Sequence, residues 1–203
     1  MSIALAILMG LGLSAACGLR VFVPLLVLSI AAKAGVLSLG PSLAWIGGTE
    51  AIVAFGLATI LEIVAYKIPW LDHALDTIAS PAAVLAGTLV SASQIGAVHG
   101  VNPLLQWTCA LIVGGGIAGL VKTGSVTTRA ASTVTTAGLA NPIISTLESI
   151  TAVVMSILAV LVPVLTGIVV LALAVGALWI VVRWRRSRRS RRVNCQPVLR
   201  MAS

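Results

Sequence analysis

Ten charges stand in an otherwise apolar stretch, residues 1–182, and they cancel. Arg20, Lys33, Lys67, Lys122 and Arg129 are set against Glu50, Glu62, Asp72, Asp76 and Glu148. The net charge of +8 comes from arginines in residues 183–200. An ionised side chain at the centre of a bilayer costs about 2.5 kcal/mol or more unless it is paired or hydrated. A chain that keeps opposite charges in such surroundings has to bring them together or line a wet cavity with them.

The surroundings are those of a membrane. Hydrophobic residues make up 59% of the chain and charged residues 9%, whereas a soluble domain carries about 25% charged residues. So few charges do not cover a water-facing surface. The expected fold is an all-α, polytopic helical bundle over residues 1–182, followed by an arginine-rich tail over 183–203. The 19 glycines, with frequent Ala, Ser and Thr, allow helices to approach closely where lipid supplies no drive between them. Cys17, Cys109 and Cys195 lack zinc spacing and read as small packing groups. Residues 3–17 resemble a signal-peptide core. No basic residue precedes Arg20, however, and the apolar run resumes at Val21, so a retained membrane segment is expected.

Hydropathy gives about five or six spans of roughly 20 residues. The first run, 3–32, is too long for one straight crossing, and Gly18-Leu19-Arg20 and Pro24 predict a break or kink there. A second span is expected at 49–68, with Tyr66 and Trp70 at the interface. Residues 70–79 read as a short amphipathic helix with Asp72, His73 and Asp76 on its polar side, and a third span as entered at Ser80-Pro81. His99 to Pro103 forms a turn before a fourth span at 103–121. Lys122, Ser125, Arg129, Ser132 and Thr136 recur at helical steps, so the segment 122–141 needs protein, water or the interface on that face. Asn141-Pro142 opens two further spans that turn near Pro163. Each half has a Gly-rich segment followed by basic residues and then a glutamate in an apolar span, Glu62 or Glu148. This hints at an inverted repeat with broken or re-entrant helices.

These pieces together resemble the bacterial membrane proteins of the domain of unknown function family 4126. The resemblance rests on Gly18-Leu19-Arg20-Val21-Phe22-Val23-Pro24-Leu25 and on Leu61-Glu62-Ile63-Val64-Ala65-Tyr66-Lys67-Ile68-Pro69 with Asp72 and Asp76. Lys122, Arg129, Asn141-Pro142, Ser145 and Glu148 complete it. Ser80 stands where a basic residue is expected, and Ser149 where the family often has a second acid. The resemblance implies an integral membrane protein without an established activity.

Arg20, Glu62, Arg129 and Glu148 are the leading site candidates, with Lys67, Asp72, Asp76, Lys122, Asn141 and Ser145 along the same substrate or ion pathway. Either these residues pair statically and fix helix register, or they line a polar site for an ion or solute. Asp72 and Asp76, one turn apart, read as a solvated interfacial face rather than a metal site. Gly114-Gly115-Gly116 lacks phosphate-loop spacing and reads as close helix packing. No catalytic constellation or cofactor motif is present, so enzymatic activity is not expected. Arg183, Arg185, Arg186, Arg188 and Arg189 fit anionic lipid headgroups and a cytoplasmic C-terminus at a bacterial plasma membrane. No aromatic stacking pattern accompanies them to favour nucleic acid. The leading function is a small transporter or channel-like protein; the rival is a membrane scaffold or lipid-interacting protein. Homo-oligomerisation stays open in both.

Overall fold

A computed structural model describes residues 2–136 and 139–193; the side chains of 69–74, 177–178, 180–182 and 184–193 are outside it. The described residues are helical, without strands. The helices are α1 (Ile3–Leu19), α2 (Phe22–Lys33), α3 (Thr49–Ala65), α4 (Pro69–Ile95), α5 (Pro103–Cys109), α6 (Gly116–Thr136), α7 (Asn141–Leu161) and α8 (Pro163–Val193). A short 3₁₀ segment, Pro41–Gly47, precedes α3, and a wide π-type turn, Ala110–Gly115, joins α5 to α6. The chain divides into two compact units, Met1–Val170 and Leu171–Ser203.

In the first unit α1 is the central element. Ser2 caps it, its hydroxyl accepting from Leu5 N at 3.3 Å. From Met9 to Gly18 it is buried all round, as expected of a helix without a polar face. Its glycines set how near its neighbours come. A methyl group at Gly12 would lie 2.8 Å from Ala159 Cβ of α7, and one at Gly18 would lie 2.6 Å from Ala118 O of α6. Ser14 ties α1 to α4, donating to Gly87 O at 2.8 Å and lying 2.9 Å from Ser91 Oγ.

The expected break in the first run is present. Arg20 is extended (φ −139, ψ 125), which ends α1, and α2 starts at Phe22 with Pro24 in its first turn. Proline is tolerated there because the amide it lacks has no helical partner at that position. The turn after His99 is also as expected. Gly100 adopts φ +81, and Asn102 Oδ1 accepts from Leu104 N at 2.8 Å ahead of Pro103.

Two expected boundaries are absent. Residues 70–79 and the span after Ser80-Pro81 form one continuous helix, α4, with Pro81 inside it. Ser80 Oγ donates to Asp76 O at 2.7 Å, a side-chain bond of the kind that steadies a proline-interrupted membrane helix. Likewise 103–121 and the polar segment after it form one helical run, Pro103–Thr136, of 34 residues. At 1.5 Å per residue it extends about 50 Å, beyond a hydrocarbon core of about 30 Å, so it tilts or emerges. Its π-type turn presses Gly114 and Gly115 onto α4. A methyl at Gly114 would collide with Ser91 Oγ and lie 2.5 Å from Gly87 O, whereas one at Gly116 meets nothing within 4 Å.

The distribution of polarity is that of a membrane bundle. The buried stripe of α7 is Asn141, Ser145, Glu148, Ala152, Ser156 and Ala159, while Ile143, Leu147, Ile150 and Leu161 point outward. α6 buries Lys122, Ser125, Arg129 and Ser132, and Thr136 at its end is exposed. α3 exposes Val53, Leu57, Ile60, Leu61 and Val64. On these three helices the buried positions include the charged and hydroxyl side chains, while large apolar side chains are exposed, as where lipid rather than water surrounds a bundle. Among the described residues, Leu75–Ile95, Pro103–Thr136 and Asn141–Leu161 are long and apolar enough to cross a membrane. Pro41–Gly47 with Thr49–Ala65, bent by 64°, makes a fourth if counted as one broken span. The division of the first run leaves α1 and α2 as shorter apolar helices of 17 and 12 residues.

The second unit continues α8 as helix through Val193, with Leu171, Leu173, Val175 and Trp179 exposed. Arg183 lies over the Trp179 ring at 5.0 Å. The side chains of Arg185, Arg186, Arg188 and Arg189 lie outside the described residues, as does Cys195. Cys17 is buried and Cys109 half-buried, both as free thiols.

Candidate functional site

The break after α1 creates the need that organises the site. Where α2 begins, backbone amides lack helical acceptors. Glu62, one turn before the end of α3, supplies them. Its Oε1 accepts from Val21 N at 2.8 Å and its Oε2 from Phe22 N at 3.1 Å. A carboxylate at a helix start also meets the positive end of the helix dipole.

Arg20, in the break itself, is fully buried. It reaches α7, where Nε donates to Ser149 Oγ at 3.0 Å and Nη2 donates to Ser145 O at 2.8 Å and Ser145 Oγ at 2.6 Å. Its guanidinium carbon lies 4.1 Å from the centroid of the Tyr66 ring. Arg129 of α6 lies 4.4 Å from the same centroid, and Lys122 Nζ lies 5.3 Å from it. A ring's negative faces attract cations, more strongly where water is absent.

Two carboxylates complete the group. Asp76 Oδ1 accepts from Tyr66 Oη at 3.2 Å and from Lys122 Nζ at 2.8 Å, and lies 3.9 Å from Arg129 Nη1. Lys122 Nζ also donates to Tyr66 Oη at 3.0 Å. Glu148 of α7 pairs with Arg129 Nη2 and accepts from Ser125 Oγ. Arg20, Lys122 and Arg129 thus balance Glu62, Asp76 and Glu148 in charge, and Tyr66 sits at the centre with 3% of its surface exposed.

The four leading candidates therefore come together, with Lys122, Asp76 and Ser145 beside them. Asp76 belongs to this interior cluster and not to a solvated interfacial face. Asn141 lies at the edge, its Nδ2 donating to Thr133 Oγ1 at 3.1 Å. Lys67 is exposed in the turn after α3 and stands outside the cluster. The side chains of Asp72, His73 and Trp70 lie outside the described residues. Tyr66 corrects the interfacial placement expected of it. Its signal was its position four residues after Glu62, on the same helical face. Ser125 and Ser149 were also missed as ligands of charged groups, although each lies at helical spacing from a candidate.

Among the described residues the cluster offers both signs of charge and hydroxyl donors in an apolar surround. Such a set holds a polar solute or an ion, or locks helices together. Comparisons with curated proteins and with solved structures give no match. A family described as domain of unknown function (DUF4126) matches residues 7–183, nearly the whole chain, and includes every residue of the cluster. The chain belongs to that family.

Proposed function

We propose that this membrane protein is a small transporter or channel-like protein whose solute or ion site is the charge cluster around Tyr66. One observation carries the reading: Arg20, Lys122 and Arg129 surround one buried aromatic ring, Tyr66, whose hydroxyl donates to Asp76, while Glu148 pairs with Arg129 and Glu62 caps the break beside Arg20. Membrane helices seldom carry ionisable groups, and those they carry commonly mark solute, ion or proton pathways. The broken start of α2 fits transporter designs in which interrupted helices meet a site. The finer topology belongs to the same proposal: five or six crossings, with a duplication relating the Glu62 half to the Glu148 half. So do a cytoplasmic C-terminus and contact of the tail arginines with anionic headgroups.

The rival reading, a scaffold held by static ion pairs, is favoured by the close pairing of Lys122 with Asp76 at 2.8 Å. A double variant, Asp76→Asn with Lys122→Gln, removes both charges and leaves the net charge unchanged. Neutral replacement of a whole buried pair is often tolerated in stability. A solute screen in reconstituted vesicles then decides: the transport reading expects wild-type flux that the folded double variant loses. Absence of flux in the wild type, or full retention in the variant, contradicts it.

A further inference from the structure

We propose that α5 is a hinged lid at one end of the bundle, with Gln106 as its latch and the wide turn Ala110–Gly115 as its hinge. The proposal rests on the transport reading above and assigns a gate to that pathway.

α5 is a short helix between two irregular joints. Gly100, at φ +81, lies before it and the wide turn lies after it. Leu104, Leu105 and Trp107 are exposed, whereas Gln106 is buried. Gln106 Nε2 donates to Ala92 O of α4 at 2.9 Å. Gly96 leaves room for it, since a methyl there would collide with the Gln106 amide. A neutral side-chain hydrogen bond thus ties α5 to the last turn of α4.

The wide turn decides whether that bond forms. Gln106 and Lys122 both reach α4, at Ala92 O and at Asp76 Oδ1, so they share a face of one helical run. Lys122 follows Gln106 by sixteen positions. A regular α-helix, at about 100° per residue, would turn Lys122 about 160° away from Gln106. The extra residue in the wide turn brings Lys122 to within about 60° and puts Ser125 in line with Gln106.

Tightening of the turn into regular α-helix rotates α5 and α6 by about 100° against one another. α6 is the fixed partner. Ion pairs hold Lys122 and Arg129, and Ala118 is packed so closely that a methyl at Gly87 would lie 2.6 Å from its Cβ. Breaking a neutral hydrogen bond costs less than breaking a buried ion pair, so α5 is the segment that moves. Gln106 then leaves Ala92 O, and the end of α4 opens to water. Asp76 and Ala92 are sixteen positions apart on α4, about 24 Å along the helix. Lid and charge cluster therefore lie towards opposite ends of α4.

The test measures the distance between nitroxide labels at the exposed positions Leu104→Cys and Leu120→Cys. It uses full-length protein in vesicles, with Cys17, Cys109 and Cys195 replaced by alanine. The otherwise unaltered chain is expected to show two distances, the longer one from the tightened turn. Gln106→Leu removes the latch and is expected to raise the ratio of longer to shorter about fivefold, the worth of one neutral hydrogen bond. Deletion of Ile112 takes out the extra residue but keeps Gln106 and Lys122 in register. It is expected to give folded protein with the shorter distance alone and without the flux of the wild type. A single distance both with and without Gln106→Leu overturns the proposal, as does a longer distance that survives deletion of Ile112. The measurement on the chain with Gln106 and Ile112 in place stands whether or not either variant folds. Two distances governed by the latch, without flux of any solute, support the lid and overturn the transport reading. Solute flux with a single distance does the reverse.

Discussion

The guanidinium of Arg20 lies 4.1 Å from the ring centroid of Tyr66, so the residue that interrupts the first apolar run meets the residue that ends α3. Arg129 approaches the same ring at 4.4 Å. Tyr66 is thus the hub through which otherwise separate ion pairs become one group.

This makes Tyr66 sensitive in a graded way. Tyr66→Phe keeps the ring but removes the hydroxyl that donates to Asp76 and accepts from Lys122. Hydrogen bonds to charged groups contribute about 1.5–3 kcal/mol, so a loss of that order is expected. Tyr66→Leu also removes the cation–π contacts and is expected to cost about 1–2 kcal/mol more. Thermal unfolding in detergent should rank wild type above Phe and Phe above Leu. Equal stability of the two variants would show that the ring contributes nothing.

Glu62 has a backbone task as well as a charge. Glu62→Ala leaves the amides of Val21 and Phe22 without their acceptor, which at about 1–3 kcal/mol for each buried donor predicts a severe loss of folded protein. Glu62→Gln keeps one acceptor and should lose markedly less. Hydrogen exchange at Val21 and Phe22 is the local readout: fast in the alanine variant, slower in the glutamine variant. Unchanged protection in the alanine variant would contradict the capping role.

The glycines separate into packed and open positions. Gly114→Ala drives a methyl to within 2.5 Å of Gly87 O, with Ser91 Oγ nearer still, and overpacking of this kind costs about 1–3 kcal/mol. Gly124→Ala meets nothing within 4 Å, and the better helix propensity of alanine predicts a gain of up to about 1 kcal/mol. Unfolding midpoints of the two variants should therefore move in opposite directions. A shared direction would place the π-type turn away from α4.

The charged residues were legible because an ionised group in an apolar run has few options, and Arg20, Glu62, Arg129 and Glu148 do share one centre. The break at Arg20 was legible from its glycine and proline flanks. Pro81 misled, because proline punctuates helices in water but is accommodated inside a membrane helix, here beside the Ser80 bond to Asp76. The polar face after Lys122 was legible as one that needs partners, and it does turn inward; the end of the fourth span at 121 was not legible, because the helix continues from α5 to Thr136. Tyr66 was misplaced because an aromatic near the end of a span fits the interface equally well by composition. Only the third dimension brings two arginines onto its ring. Lys67, one residue further on, turns outward for the same reason.

The most direct measurement is a double-mutant cycle between Arg129 and Glu148. Removing one partner of a buried pair leaves the other charge uncompensated, at a cost of about 3–5 kcal/mol. Arg129→Met and Glu148→Met are each expected to destabilise the protein to that degree in unfolding assays. The double variant should fall short of their sum by more than about 1 kcal/mol. Additive losses, within about 0.5 kcal/mol, would contradict a joined charge centre inside the bundle.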